Sequence, residues 1–354
     1  MDKIKVIVVD DSAFMRKLVN DIISSSDRCE VVAKCRNGKE LLEKVDLFKP
    51  DVITLDLEMS VMDGLATLIE LKKQRKKYKV IMLSSLTAKG SSQTMECLAN
   101  GAIDFIEKPS LAEGMDKIKD GLISKIIAIA QKNKVSPVRG VASSEIIKNK
   151  VILNRNRINA VVIGASTGGP KALQEVLTNI DGDINVPVFV VQHMPKGFTK
   201  AFAERLDKLC KLHVVEAEDK MAIQKNTIYI APGGYHMTIR NQNEISLNTE
   251  PAIWGVRPAV DKLFESSVRV YKGNLISAVL TGMGRDGANG TVQIKDAGGI
   301  TISEDESTCT IYGMPKVAYE TGKVDLVLPI DKIGKKISEL TKERMWAYGF
   351  WSLS

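Results

Sequence analysis

Val161-Val162-Ile163-Gly164-Ala165-Ser166-Thr167-Gly168-Gly169-Pro170 joins an apolar β-branched run to glycines that bracket a serine, and Lys171-Ala172-Leu173 then begins a helical pattern. Gly164 to Gly168 fits Gly-x-Ser-x-Gly, a tight strand-to-helix bend that lifts a hydroxyl into reach of a substrate. Small residues let the backbone turn sharply, and the following helix start offers N–H groups to a developing oxyanion. The competing reading is a glycine-rich phosphate cradle. The stretch has neither the Gly-x-Gly-x-x-Gly of dinucleotide folds nor the Gly-Lys-Ser/Thr of a P-loop. Ser166 is therefore a candidate nucleophile, and its partners have to be sought elsewhere in the chain.

A chain of 354 residues has room for two domains, each large enough to bury a full core. Five scattered cysteines form no Cys-x-x-Cys pair, which favours reduced thiols in a cytoplasm over disulfides or a zinc site. The N-terminal apolar run is too short for a signal peptide, and no stretch is long enough for membrane insertion. The net charge of +7 is concentrated: seven basic residues and one acid lie between Lys132 and Arg157. No helix-turn-helix or finger pattern accompanies them, so residues 131–156 read as a solvated basic linker and not as a nucleic-acid surface.

Over residues 1–130, strand-like runs (Lys5–Val9, Glu30–Cys35, Val52–Leu55, Val80–Leu83, Ile103–Ile106) alternate with amphipathic segments (Ala13–Ser24, Lys39–Phe48, Leu65–Lys73). That alternation predicts a doubly wound parallel sheet, whose sites form outside the carboxyl ends of the strands. Asp10, Asp11, Asp56, Ser84 and Lys108 all fall there. Three converging carboxylates repel one another unless a cation sits among them, and all-oxygen ligands suit Mg²⁺. Helix capping accounts for Asp10 or Asp11 alone, but not for the whole set.

Val8-Val9-Asp10-Asp11-Ser12, Leu55-Asp56-Leu57-Glu58-Met59, Met62-Asp63-Gly64 and Glu107-Lys108-Pro109 make this half similar to the receiver domain of two-component response regulators. The resemblance implies a flavodoxin-like five-stranded sheet phosphorylated on Asp56. It also implies Mg²⁺ held by Asp11, Asp56 and the Glu58 carbonyl with help from Asp10, a switch hydroxyl on Ser84, and a phosphate contact from Lys108. Ser60 stands where that family usually has proline, which predicts a looser loop beside Asp56.

Residues 157–345 again alternate: Ala160–Ile163, Val188–Val191, His213–Ala217, Thr227–Ala231, Ile245–Asn248, Leu275–Leu280 and Gly299–Ser303 read as strands of a largely parallel α/β sheet. A serine nucleophile needs a base, and the chain has three histidines. His193 lies at the carboxyl end of a strand, as Ser166 does. His213 opens a strand at the opposite edge and reads as structural, while His236, after Gly233-Gly234, is the reserve base. Asp286, inside Thr281-Gly282-Met283-Gly284-Arg285-Asp286-Gly287, is the candidate orienting acid, with helix capping as the plainer alternative. The chain order Ser, His, Asp differs from that of α/β-hydrolases and leaves the triad roles intact.

With Gly164–Pro170, Gln192-His193-Met194-Pro195, Ala231-Pro232-Gly233, Arg257-Pro258-Ala259-Val260-Asp261 and Thr281–Gly287, this half resembles the catalytic domain of chemotaxis protein-glutamate methylesterases. The resemblance implies a serine esterase that removes methyl groups from γ-glutamyl methyl esters of chemoreceptors and deamidates receptor glutamines. It needs no cofactor in the catalytic domain, and its oxyanion is held by backbone N–H groups near Thr167 and Met283. A chemotaxis histidine kinase would be the phosphodonor, and the unphosphorylated receiver would cover the cleft. Residues 346–354, with two tryptophans, read as a tail packed on its own domain. Two rivals remain: a transcription factor, which would carry a short helical output domain, and a phosphorylation-controlled receptor-binding module without turnover.

Overall fold

The computed structural model describes residues 2–74, 78–85, 87–108, 115–131 and 157–342. The basic linker, apart from Gln131 at its start, and the aromatic tail lie outside the described residues. Two compact units divide the chain, Met1–Val138 and Arg139–Ser354.

In the first unit, five strands alternate with five helices: β1 (Ile4–Val9), α1 (Ala13–Ser24), β2 (Cys29–Cys35), α2 (Gly38–Phe48), β3 (Val52–Asp56), α3 (Gly64–Lys73), β4 (Val80–Ser84), α4 (Ala88–Ala99), β5 (Asp104–Glu107) and α5 (Met115–Gln131). All strand pairs are parallel, in the order β2-β1-β3-β4-β5. The central strands are buried along their whole length, as expected of β-branched runs covered on both faces. Local signals start the helices: Asn37 caps α2 through Glu40 N–H, Asp63 caps α3 through Ala66 N–H, and Thr87 caps α4 through Gly90 N–H.

The second unit contains β6 (Ala160–Ala165), α6 (Gly169–Thr178), β7 (Val188–Gln192), α7 (Phe198–Asp207), β8 (His213–Glu216), β9 (Thr227–Ile230), β10 (His236–Asn241), β11 (Glu244–Asn248), α8 (Val260–Tyr271), β12 (Leu275–Val279), α9 (Ala288–Asp296), β13 (Ile300–Glu304), α10 (Met314–Glu320), β14 (Leu326–Leu328) and α11 (Ile330–Lys342). Seven strands form one parallel sheet in the order β14-β13-β12-β6-β7-β9-β8. The chain enters at β6, builds outward through β7, and returns to the other side of β6 at β12. A crevice at such a reversal is where open α/β sheets bind ligands.

One expected sheet strand is placed elsewhere. Ile245–Asn248 falls in β11, which pairs antiparallel with β10 in a separate hairpin. The hairpin covers one face of the core: Met237, Ile239 and Ile245 join Val162, Phe189, Tyr229, Val260 and Phe264 in a single buried cluster. Phe189 and Tyr229 stack with ring centroids 5.5 Å apart. Close approach of α8 to β6 depends on Gly164, where a Cβ would lie 2.4 Å from a Val260 methyl.

Candidate active site and phosphoacceptor site

Ser166, His193 and Asp286 follow β6, β7 and β12, three neighbouring strands of the sheet. Ser166 N–H donates to Thr281 O at 3.0 Å, tying the nucleophile turn to the loop after β12. The two loops touch closely: a Cβ on Gly282 would lie 2.7 Å from Ser166 Cβ. Gly168, the residue before α6, has φ +77°, a left-handed conformation that suits glycine and lets the turn close on Ser166. Thr281 Oγ donates to Thr167 O at 3.0 Å and fixes the next peptide. Among the described residues, neither Thr167 N–H nor Met283 N–H has an acceptor in the protein. Both remain available to an incoming oxygen.

His193 N–H donates to Ala165 O at 3.1 Å, and its Nε2 lies 2.8 Å from Asp286 Oδ2. Nδ1 is then the ring nitrogen left for a hydroxyl. No hydrogen bond joins Ser166 Oγ to the imidazole among the described residues; such contacts often tighten only when substrate is bound. Gln192, invisible as a functional residue in the sequence, is buried and bridges the two loops. Its Nε2 donates to Ser166 O at 3.0 Å and to His193 O at 3.1 Å.

Asp286 is 2 % exposed, yet every approach to its carboxylate is an N–H. Oδ2 accepts from Val260 N–H at 2.6 Å as well as from His193, and Oδ1 accepts from Asp261 N–H at 2.8 Å. Asp286 therefore caps α8, whose own N-cap residue, Ala259, has no capping side chain. One carboxylate thus both caps α8 and bonds to the His193 ring, with the positive end of a helix beside it. The favour is returned by Asp261, whose Oδ1 accepts from Gly287 N–H at 3.0 Å and Gly290 N–H at 2.8 Å at the start of α9. Burial and the nearby Asp286 charge push the Asp261 carboxyl above its ordinary range.

The reserve base does not reach this site as a base. His236 opens β10, is fully buried, accepts Ala259 N–H on Nδ1 at 3.2 Å and donates from Nε2 to Pro251 O at 3.1 Å. Burial lowers its pKa, so it is a neutral strut behind the start of α8. His213 pairs with Asp207 at 2.8 Å on the surface.

In the first unit, oxygens of Asp10, Asp11 and Asp56 all lie within 4.8 Å of one another. Lys108 Nζ is 2.7 Å from Asp56 Oδ1 and 3.1 Å from Asp10 Oδ2. Burial, opposed by Lys108 and reinforced by Asp10, raises the Asp56 carboxyl from 3.8 to about 6. For Lys108, burial works against the charge, but Asp56 and Asp10 outweigh it and raise its pKa. Asp56 Oδ2 is buried without a hydrogen-bond partner, an orphaned acceptor beside two further carboxylates. All-oxygen donors with unmet acceptor capacity fit a hard divalent cation such as Mg²⁺. Arg16 holds the loop from behind, donating to Asp10 O at 2.7 Å and Asp11 O at 2.8 Å.

Two serines near this site make contacts that the sequence does not show. Ser60 N–H, which a proline lacks, reaches Asp11 Oδ2 at 3.3 Å. Ser84 Oγ lies 2.7 Å from Thr94 Oγ and is engaged within the β4–α4 junction. Glu58, whose N–H is 3.4 Å from Asp56 Oδ1, lies on the same loop.

Family models match both halves: "Response regulator receiver domain" over residues 6–119 and "CheB methylesterase" over residues 161–337. The chain is 52% identical over 344 residues to a protein-glutamate methylesterase/protein-glutamine glutaminase of Clostridium acetobutylicum, covering 97% of this chain and 99% of the relative. A relative with the same name from Pyrococcus horikoshii is 45% identical over 95% of this chain and 93% of its own length. Among solved structures, the CheB methylesterase catalytic domain of Thermotoga maritima matches with TM-score 0.51 and 43% identity, covering 52% of this chain and all of that domain. With a receiver unit in front of a sheet that gathers Ser166, His193 and Asp286 on adjacent strands, the chain belongs to the CheB methylesterase family.

Proposed function

We propose that this chain is a phosphorylation-activated serine esterase that converts γ-glutamyl methyl esters of chemoreceptors to glutamates, and receptor glutamines to glutamates by the same acyl chemistry. The 2.8 Å bond between His193 Nε2 and Asp286 Oδ2, beside the Ser166 turn, is the observation that carries this reading. His193 Nδ1 takes the proton of Ser166 Oγ as the oxygen attacks the ester carbonyl. Asp286, fixed by the N–H groups of Val260 and Asp261, stays ionised and steadies the imidazolium. The N–H groups of Thr167 and Met283 receive the carbonyl oxygen as it becomes an oxyanion, each worth about 3 kcal/mol of barrier. The imidazolium returns its proton to the departing methoxide, and methanol leaves. Water, deprotonated by His193, then cleaves the glutamyl-serine ester, giving free glutamate and Ser166 again. With glutamine, ammonia leaves in place of methanol.

In the receiver, Asp56 is the phosphoryl acceptor, supplied by a chemotaxis histidine kinase. Asp10, Asp11, Asp56 and the Glu58 carbonyl would hold Mg²⁺, which offsets negative charge at the phosphoryl group. Lys108 meets the phosphoryl oxygens, and Ser84 leaves Thr94 to bond to them. Loss of the earlier Ser84 contact reshapes the receiver face and raises esterase activity, a coupling of about 1–3 kcal/mol. No described helix is long and apolar enough to cross a membrane.

Methanol release from methylated receptors, measured with and without a small phosphodonor, tests the scheme. Wild type should release methanol and accelerate with the phosphodonor, and Ser166→Ala should release none. Equal release by the two chains would leave only a receptor-binding module without turnover.

A further inference from the structure

The lip of the catalytic crevice carries a feature that the ester chemistry does not use. Residues Ile253 to Val256 form a tight turn closed by two backbone bonds, Ile253 N–H to Val256 O at 3.2 Å and Val256 N–H to Ile253 O at 3.0 Å. Its central residues, Trp254 and Gly255, both have positive φ, +53° and +78°. Such a turn favours asparagine or glycine at both positions, and a bulky indole there is held against its backbone preference. The turn is nonetheless anchored, since Arg257 Nη1 donates to Thr249 O at 2.8 Å and Glu250 O at 3.0 Å. Trp254 is 53% exposed, and the Arg285 guanidinium lies over its ring, 5.2 Å from the centroid.

Arg285 immediately precedes Asp286 and follows Met283 by two residues, so the pair stands at the mouth of the site. Four large apolar side chains are exposed among the described residues of this unit, and two of them, Trp254 and Met283, flank Arg285. Arg285 is exposed and has no carboxylate partner among the described residues. A guanidinium stacked on an indole keeps its N–H edge free and oriented for a planar carboxylate. Tryptophan and arginine are also the side chains that dominate binding energy at protein interfaces.

We propose that Trp254 and Arg285 form a docking lip for the acidic stretch of substrate polypeptide that flanks the reacting glutamyl ester. The inference rests on the esterase reading, because each turnover leaves a carboxylate on that polypeptide. Arg285 pairs with a neighbouring glutamate while the indole covers the apolar stem of the same segment. The enzyme therefore prefers esters beside a glutamate, including one it has already produced.

Two peptides test this on the full chain with phosphodonor present, each carrying one γ-glutamyl methyl ester, one flanked by glutamates and one by serines. N-acetylglutamate γ-methyl ester serves as a substrate without flanks. Arg285→Ala should raise KM for the glutamate-flanked peptide roughly fivefold with kcat unchanged, and Arg285→Glu roughly twentyfold, as expected of a charge-assisted pair at a surface. The serine-flanked peptide and the small ester should respond to neither change. Trp254→Ala should raise KM for both peptides and leave KM for the small ester unchanged, any kcat change through the indole's bond to Asp261 being common to all three substrates. Binding of the labelled glutamate-flanked peptide to the Ser166→Ala chain, followed by fluorescence anisotropy, reads docking without turnover. A loss of affinity below about twofold on adding Arg285→Ala there overturns the lip whatever the esterase assays give. Failure of wild type to hydrolyse the small ester, with peptide binding still dependent on Arg285, would instead sink the esterase reading alone. Faster small-ester turnover by Arg285→Ala without phosphodonor, at unchanged peptide KM, would mean that the lip is covered by another part of this chain, and the proposal would fall.

Discussion

The two halves put a buried aspartate at the carboxyl end of a parallel strand and treat it in opposite ways. Asp286 has both oxygens met by N–H groups, from His193, Val260 and Asp261. Asp56 has one oxygen on Lys108, the other without a partner, and a second carboxylate close by. The hydroxyls show the reverse pattern. Ser84 is committed to Thr94, whereas Ser166 Oγ is not bonded to His193 among the described residues. The carboxylate proposed to hold the imidazole is fully satisfied, and the one proposed to accept a phosphoryl group is left unsettled. Burial of a polar group is costly unless it is bonded, so the unsettled site is the one held ready to change.

The strongest way to break this comparison is to spoil the settled carboxylate without moving it. Asp286→Asn keeps an acceptor for Asp261 N–H but turns the oxygen shared by His193 Nε2 and Val260 N–H into a donor, which traps the wrong tautomer and gives up the Val260 cap. The kcat for methanol release should fall about 10⁴-fold while the far-ultraviolet spectrum stays native. A loss under about tenfold would mean that Asp286 does not orient His193 for the reaction.

Asp56 should give a smaller effect on activity and an opposite effect on stability. Asp56→Asn should abolish the response to a phosphodonor, a factor of about 5–150 for coupling of this size. It should also make the chain more stable at neutral pH. The folded pKa is raised, from 3.8 to about 6, so the folded state is favoured below the unfolded value, and that advantage is lost as pH rises through about 6. The full shift corresponds to ~3 kcal/mol, and loss of the Lys108 pairing reduces the gain to about 1–2 kcal/mol. Urea unfolding at pH 7 and pH 4 checks the sign: the variant's advantage should be large at the first and nearly vanish at the second.

The reciprocal caps sharpen the comparison at a finer scale. Asp261→Asn keeps an oxygen for Gly287 and Gly290 N–H while removing a buried charge near Asp286. Asp261→Ala leaves both N–H groups without their acceptor. The alanine variant should lose about tenfold in kcat as the Asp286 turn loosens, and the asparagine variant about threefold or less. Equal losses would show that charge, not capping, is the contribution of Asp261.

Most of the frame was legible because strands covered on both faces must be continuous apolar runs, and their ends place Asp10, Asp56, Ser166 and His193 without further help. Asp286 was legible as a position in a glycine loop, but its anchorage was not. The N–H groups that hold it belong to Val260 and Asp261, whose side chains say nothing about what their backbone donates to. Gln192 read as the residue before His193, since its bridge exists only once β6 and β7 are neighbours. His236 misled for a related reason: Gly233-Gly234 reads as a turn, and the hairpin that buries the imidazole is fixed by packing on Val260 and Phe264. The Ser84–Thr94 bond crosses from a strand end to a helix, a contact to which no periodicity points.

That bond provides the most delicate test. Ser84 and Thr94 are both fully buried, and their oxygens are 2.7 Å apart. Thr94 Oγ donates to Ser84 Oγ and also lies 2.7 Å from Gly90 O, so one short hydroxyl contact ties Ser84 to α4. The remaining Ser84 contacts, to Ser85 O and Gly90 O, are 3.4 Å long. A hydroxyl spent this way must break a bond worth about 1 kcal/mol before it can reach a phosphoryl group on Asp56. Thr94→Val keeps the shape and deletes the hydroxyl that bonds to Ser84, so the activated arrangement becomes easier to populate. The phosphodonor concentration for half-maximal methanol release should fall about threefold to fivefold, with the fully activated rate unchanged. Because the effect acts through one hydroxyl, it should disappear when Thr94→Val is combined with Ser84→Ala. If valine has the same effect in both backgrounds, Thr94 loosens α4 in general and does not restrain Ser84.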